Sequence, residues 1–206
     1  MGFARNIAQE RGVLAPLLQR LGLPVSLASP LLAHANAVRD AGERLGLVSD
    51  HDLSSIVRRH TADSLLFALA RPPELGERWA DVGSGAGFPG LVLACCYPNA
   101  HFTLIEPHSR RAGFLDLQVA GLGLSNATVL ARRLQEVEGG FDVAVARALH
   151  SPRETLLTLN SLVRQGGLSL VAAGPNEDVP QGATIVRLED VGDVDSPGVL
   201  LMMSHG

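Results

Sequence analysis

Between residue 7 and about residue 70, apolar positions recur at helical spacing, with no run of alternating β-branched residues. Leu23-Pro24 and Ser29-Pro30 interrupt that pattern, which predicts a few short helices. After Arg71-Pro72-Pro73 the texture changes. Short apolar runs at 79–82, 102–105, 129–130, 143–146 and 168–171 alternate with helical stretches, as strands of a parallel sheet alternate with crossover helices. In one of these stretches Ala112, Leu115, Val119 and Leu122 share a face, and Gly121 and Gly123 mark its end. The last two apolar runs, at 184–188 and 199–203, are joined by a Gly/Asp/Pro-rich link at 191–198, too short for a helix, so they should pair antiparallel. The pattern predicts an α/β chain: a helical N-terminal extension at 1–72 and a sheet-based domain at 73–206.

Composition narrows the chemistry. The chain has 206 residues, 46% hydrophobic and 18% charged, with a formal net charge of −4, which fits one soluble globular domain with a modest extension. All 17 cations are arginine. The absence of lysine excludes a P-loop lysine, a pyridoxal Schiff base and a lysine general base, each of which needs an amine that Arg cannot supply. Cys95 and Cys96 are adjacent, the wrong spacing for a disulfide framework or a zinc site, and read as two small buried residues. The seven histidines show no ligand spacing on a common helix face, so no metal is expected. No apolar run reaches the roughly 18 residues that cross a bilayer, and Met1-Gly2-Phe3-Ala4-Arg5 lacks a signal peptide's apolar region, so a cytoplasmic protein without membrane contact is expected. With a negative overall charge, nucleic acid could be held only by local clusters: Arg58-Arg59-His60, Arg110-Arg111 and Arg132-Arg133.

The most informative segment is Asp81-Val82-Gly83-Ser84-Gly85-Ala86-Gly87-Phe88-Pro89-Gly90, where a strand should end and a helix begin. Glycines let the backbone turn tightly and approach a ligand, and a helix N-terminus favours an anionic group, so a nucleotide-like cofactor is implied. Two readings match. Gly85, Gly87 and Gly90 fit the dinucleotide GxGxxG, while Asp81, Gly83, Gly85 and Gly87 fit the D-x-G-x-G-x-G of S-adenosylmethionine (SAM) enzymes. Both want an acid at the end of the next strand for ribose hydroxyls, and Glu106 stands there. Only about 95 residues follow Glu106, and they complete one sheet, leaving no room for a separate hydride-transfer domain. The methyltransferase pattern fits better.

Further ordered motifs flank that loop. His51-Asp52-Leu53-Ser54-Ser55-Ile56, Arg59-His60-Thr61-Ala62-Asp63-Ser64-Leu65, Arg110-Arg111-Ala112-Gly113-Phe114-Leu115 and the stretch from Phe141-Asp142 to Arg147-Ala148 occur in sequence around it. Together they resemble the glucose-inhibited division protein B family, the bacterial 16S ribosomal RNA guanine-N7 methyltransferases, closely over 47–149 and loosely elsewhere. The resemblance implies a class I SAM-dependent (Rossmann-like) methyltransferase fold, with a mostly parallel seven-stranded sheet and an antiparallel last strand. It implies SAM as cofactor and 16S ribosomal RNA or the small ribosomal subunit as partner. Carried over residue by residue, the cofactor positions are Gly83 and Phe88 in the loop, Leu134 and Gln135 after the third strand, and Arg147 after the fourth; Gly85 and Glu106 join them from the loop reading. The family usually has Asn and Thr where Asp52 and Ser54 stand, an acid where Gln135 stands, and often Lys-Gly after the fifth strand, where this chain has Ala172-Ala173-Gly174.

Methyl transfer to guanine N7 uses a ring lone pair and needs no general base, consistent with a chain that shows no triad or metal cluster. No catalytic acid or base is therefore assigned. Phe88 could wall the base pocket or pack the first crossover helix on the sheet. Trp79 reads as core. Arg58, Arg59, Arg110 and Arg111 are candidate RNA contacts, against the plain reading of solvated or carboxylate-paired surface. His60 and Asp63, three apart, read as a hydrogen-bonded pair. Two rivals stand beside this reading: an NAD(P)-dependent oxidoreductase, and a non-catalytic SAM/RNA-binding regulatory module, favoured only by the missing lysine after the fifth strand.

Overall fold

The computed structural model describes residues 7–147, 151–189, 191–192, 194–195 and 197–206, without the side chains of Glu43, Asp50 and His51. Residues 1–5 and Ala148, read above for targeting and for the family motif, lie outside the described residues. The N-terminal segment forms helices α1 (Ile7–Arg20), α2 (Ala28–Leu45), α3 (Asp50–Leu53) and α4 (Ala62–Ala70). A 3₁₀ turn at Val25–Leu27 follows Leu23-Pro24, and a π-helical turn at Val57–Thr61 runs directly into α4.

The break expected at Ser29-Pro30 does not occur. Pro30 is the third residue of α2, where the backbone N–H has no intrahelical partner and its loss costs no hydrogen bond. Helix α2 ends at Gly46, whose φ of +58° is the left-handed C-cap geometry that favours glycine.

The remainder alternates as the pattern predicts: β1 (Arg78–Val82), α5 (Gly90–Cys96), β2 (His101–Ile105), α6 (Ser109–Gly121), β3 (Ala127–Leu130), β4 (Phe141–Ala146), α7 (Pro152–Asn160), β5 (Val163–Ala173), β6 (Ala183–Arg187) and β7 (Val199–Ser204). The seven-stranded sheet has the order β3-β2-β1-β4-β5-β7-β6. β3, β2, β1, β4 and β5 are parallel, and β7 runs antiparallel to both β5 and β6. Central strands are buried on both faces, which is why β1 and β4 are mostly apolar rather than alternating, with Asp81 the buried polar exception in β1. β5 begins five residues before the run at 168–171, because its register against β4 shifts between Phe141 and Val143 and the stretch 164–166 is exposed. At α7, Ser151 is the N-cap ahead of Pro152: Glu154 N–H donates to Ser151 Oγ (3.3 Å), whose hydroxyl donates to Glu154 Oε2 (2.9 Å).

One face of the sheet carries α5, α6 and the N-terminal helices in a continuous core that runs from Leu14 and Leu18 through Ile56, Leu65 and Leu91 to Val143 and Leu170. Trp79 is fully buried there, as expected. The other face packs α7 through Leu156 and Leu159 on Ala144, Ala146 and Leu201. Residues 7–70 therefore share the core of the sheet.

Candidate functional site

The carboxyl ends of β1, β2 and β4 bring the glycine loop, Glu106 and Arg147 to one edge of the sheet, the place where open α/β sheets bind ligands. Three loop glycines take positive φ: Gly83 (+70°), Gly85 (+56°) and Gly87 (+97°). Gly83 and Ser84 N–H groups donate to Ile105 O (2.9 and 3.1 Å), which ties the loop to β2. Gly90 does something different. A Cβ there would stand 2.5 Å from Asp81 Cβ and 2.6 Å from Leu104 Cδ2, so the third glycine of the dinucleotide match serves helix–strand packing. Asp81 Oδ2 accepts from Gly90 N–H (2.9 Å) and from the Ser84 hydroxyl (2.5 Å), holding both ends of the loop. Burial pushes the Asp81 carboxyl up to about 6, against the pull of those two hydrogen bonds.

Glu106 is 2% exposed. Its Oε2 accepts from Gly85 N–H (3.0 Å), and its Oε1 accepts from His108 N–H (2.9 Å) and lies 2.8 Å from His108 Nδ1. Beside it Pro107, His108, Arg133, Leu134 and Gln135 line a cavity of about 490 Å³, so two of the expected cofactor positions, Leu134 and Gln135, face the β2–α6 connection across a hollow. Around Gly85 there is room: a Cβ would meet only Gly83 O, at 3.7 Å. A buried carboxylate, an open glycine turn and a nucleoside-sized hollow fit a cofactor that presents a ribose.

Arg147 follows β4 and is almost enclosed. Its Nη1 donates to Arg59 O (2.9 Å) and to Asp63 Oδ2 (3.3 Å), its Nη2 bonds His60 Nδ1, and its guanidinium sits 5.5 Å above the Phe88 ring. His60 stacks on Phe88 at 5.3 Å and 24°, and His34 of α2 flanks the same ring at 5.1 Å. Phe88 thus packs against His34, His60 and Arg147, between the loop and the N-terminal helices, and the structure routes the His60–Asp63 pair through Arg147. Burial pushes His34 down to about 4, and burial together with Arg147 pushes His60 down to about 3; both rings are neutral near pH 7. Burial also pushes the thiols of Cys95 and Cys96 up to about 12; Cys96 is buried in the core and Cys95 is half-buried against it.

The four candidate RNA arginines divide. Arg58 pairs with Asp195 (3.6 Å) and Arg59 with Asp52 (3.0 Å), while Arg111 donates to Gly46 O (2.7 Å). Arg110 is exposed, as are Arg132 and Arg133, and the side chains of these three form no hydrogen bond or ion pair among the described residues. Sequence reasoning missed Asp52, His34 and His108. His108 had a signal, standing two residues after the ribose acid; His34 had none, because its contacts are with Phe88 and Gln118, the latter 84 residues away.

Sheet order, the antiparallel last strand and the glycine loop define the class I SAM-dependent methyltransferases. The fold matches that of a SAM-dependent O-methyltransferase from Thermotoga maritima with a TM-score of 0.55 and 15% identity, over 69% of this chain and 64% of that one. The sequence profile of rRNA small subunit methyltransferase G (GidB) matches residues 28–181. The chain belongs to this family. It is 39% identical over 158 residues to Ribosomal RNA small subunit methyltransferase G of Clavibacter michiganensis, covering 73% of each chain. With the protein of that name from Saccharophagus degradans it shares 31% identity over 186 residues, covering 85% of this chain and 82% of the other. The glycine loop is accordingly a methyltransferase loop, and the oxidoreductase reading is set aside.

Proposed function

We propose that this protein transfers a methyl group from SAM to N7 of a guanine in 16S ribosomal RNA, acting on the small ribosomal subunit or its RNA in the cytoplasm. The observation that carries the reading is Glu106, a buried carboxylate at the end of β2, set against the open turn at Gly85 in a chain of this family. Gly83, Gly85, Glu106, Leu134 and Gln135 would hold the cofactor. Glu106 accepts from its ribose hydroxyls once His108, whose ring is largely exposed, swings away. Phe88 supports the loop from behind, and Arg147 closes the β4 side. When bound, SAM supplies an electrophilic methyl on a sulfonium.

Guanine N7 brings its own lone pair, so the chain's work is alignment, exclusion of water and placement of the base. A target guanine drawn from a loop or bulge can stack in the cleft while its flanking phosphates meet arginines outside. Arg110 and Arg111 serve that outer contact together with Arg132 and Arg133; Arg58 and Arg59 reach it after exchanging their carboxylate partners. The helices between residues 7 and 70 act as the wall that closes the cleft on the β4 side, and the sheet domain that follows holds the cofactor.

Mass mapping of 16S ribosomal RNA treated with the protein and SAM should show one 7-methylguanosine, and an unmodified RNA would overturn the reading. Glu106→Ala should weaken SAM at least about tenfold, by loss of charge-assisted hydrogen bonds worth roughly 1.5–3 kcal/mol each; calorimetry on the folded variant measures it.

A further inference from the structure

The π-helical turn places three acceptors on one guanidinium. The Arg59 carbonyl, the His60 Nδ1 and the Asp63 carboxylate come from five consecutive residues, and all three bond Arg147, which lies 84 to 88 residues later in the chain. An α-helix that widens for a single turn is uncommon and tends to occur at functional sites. Here the widened turn lets Arg59 O and the His60 ring face the same partner as Asp63, at the start of α4.

Two features set this apart from an ordinary core ion pair. A buried pair contributes little stability over apolar packing of the same volume, so burying Arg147 for strength alone gains nothing. The contact with Arg147 also fixes the imidazole tautomer. His60 Nδ1 accepts from Arg147, so the ring proton is on Nε2, which faces Asp52 Oδ2 at 3.9 Å, and Asp52 Oδ2 in turn accepts from the Ser49 hydroxyl (2.5 Å). Burial and the neighbouring Arg147 charge keep His60 unprotonated at neutral pH, as an acceptor must be. Arg147 keeps 16% of its side chain exposed, at the carboxyl end of the strand that faces the cleft, and three of its five N–H donors are accounted for by these bonds.

We infer that His60 and Asp63 are positioning residues for methyl transfer: they fix the Arg147 guanidinium over Phe88, with its outer donors turned to the cofactor cleft. The N-terminal helices thereby supply part of the reaction geometry and are more than a cover for the sheet. The inference rests on the methyltransferase reading for its functional consequence, and on the structure alone for the placement of Arg147.

The test uses ¹⁵N-arginine-labelled full-length protein as wild type, His60→Leu, His60→Asn, Arg147→Met and the double variant His60→Leu/Arg147→Met. Asn keeps an acceptor close to the position of Nδ1; Leu removes it. In wild type a guanidinium resonance assigned by its loss in Arg147→Met should exchange slowly with solvent, should collapse into the fast-exchanging average in His60→Leu, and should persist in His60→Asn.

Single-turnover methyl transfer should fall at least about tenfold in His60→Leu, recover to within about threefold of wild type in His60→Asn, and show no further loss when His60→Leu is added to Arg147→Met, as two groups acting through one contact require. A slowly exchanging Arg147 in His60→Leu, or losses that multiply in the double variant, would overturn the inference. So would a wild-type Arg147 that exchanges fast. A wild-type protein that transfers no methyl group would sink the methyltransferase reading instead, and the resonances would still decide whether His60 holds Arg147.

Discussion

Two arginine clusters that look alike in the sequence are treated in opposite ways by the fold. Arg58-Arg59 sits on the π-helical turn, with both guanidiniums against carboxylates and the Arg59 carbonyl bonded to Arg147. Arg132 and Arg133, after β3, are exposed, with Arg133 lining the Leu134–Gln135 hollow and Arg110 lining a second hollow that shares Pro107 and His108 with it, and none of the three has a charged partner among the described residues. The first cluster is part of a wall. The second is a rim that a polyanion can reach without first displacing anything. Charge density in the sequence is the same; what differs is which acidic residues the fold brings within reach, and those come from α3 and from the β6–β7 link.

The largest break in that comparison is expected on the wall. Asp63→Ala removes the one carboxylate hydrogen-bonded to the nearly enclosed Arg147 among the described contacts and leaves its hydrogen bonds to a carbonyl and a neutral imidazole, with Asp81 and Asp52 as the remaining, more distant negative charges. Such a loss costs about 3 kcal/mol of stability, whereas Arg110→Ala on the rim should stay within about 0.5 kcal/mol of wild type. Urea denaturation of both variants measures the contrast, and equal midpoints would erase the distinction between wall and rim.

How far this could be read from the chain depends on the range of the forces involved. Parallel strands, the glycine loop, the acid after β2 and the final antiparallel hairpin were legible, because each leaves a local pattern: an apolar run, glycines where φ is positive, a short link. Pro30 misled, since a proline in the first helical turn and one that ends a helix look the same without knowing where the helix starts. The early start of β5 was hidden by its irregular, exposed beginning. Partnerships were the least legible part. Arg59 with Asp52 could be guessed from helical proximity, but Arg147 with His60, or Arg58 with Asp195, joins segments that only the tertiary fold brings together.

A second, smaller effect sharpens the picture of the wall through pH. The folded-state pKa values of His34 and His60 lie below the ordinary histidine value, at about 4 and about 3, so the unfolded chain binds more protons and stability falls as pH drops below about 6.5. Asp81, raised to about 6, acts oppositely: it favours the folded state as pH falls from about 6 toward 4. Each histidine contributes at most roughly 1.4 kcal/mol per pH unit within its window. His60→Asn should therefore flatten the acid side of the stability curve between pH 6.5 and 4.5, while Asp81→Asn should steepen it. Urea midpoints across that range decide both, and an unchanged slope in His60→Asn would mean that the ring is solvated and no part of a closed wall.

The smallest effect is the one that addresses the rim directly. Each arginine that neutralises a phosphate on single-stranded RNA contributes roughly 0.7 to the slope of log affinity against log salt. Rim cations meet RNA with nothing to give up, so Arg132→Gln with Arg133→Gln should lower that slope by about 1.4 and weaken RNA binding at low salt, with SAM affinity within about twofold of wild type. Arg58 and Arg59 must first release Asp195 and Asp52, and the freed carboxylates then repel the same phosphates. Arg58→Gln with Arg59→Gln should accordingly shift the slope by less than about 0.7, half the change at the rim. Filter binding of a 16S ribosomal RNA fragment between low and physiological salt separates the two cases. Equal slopes for the two double variants would show that RNA pulls the wall arginines off their carboxylates, and that the two clusters form one continuous track on the bound protein.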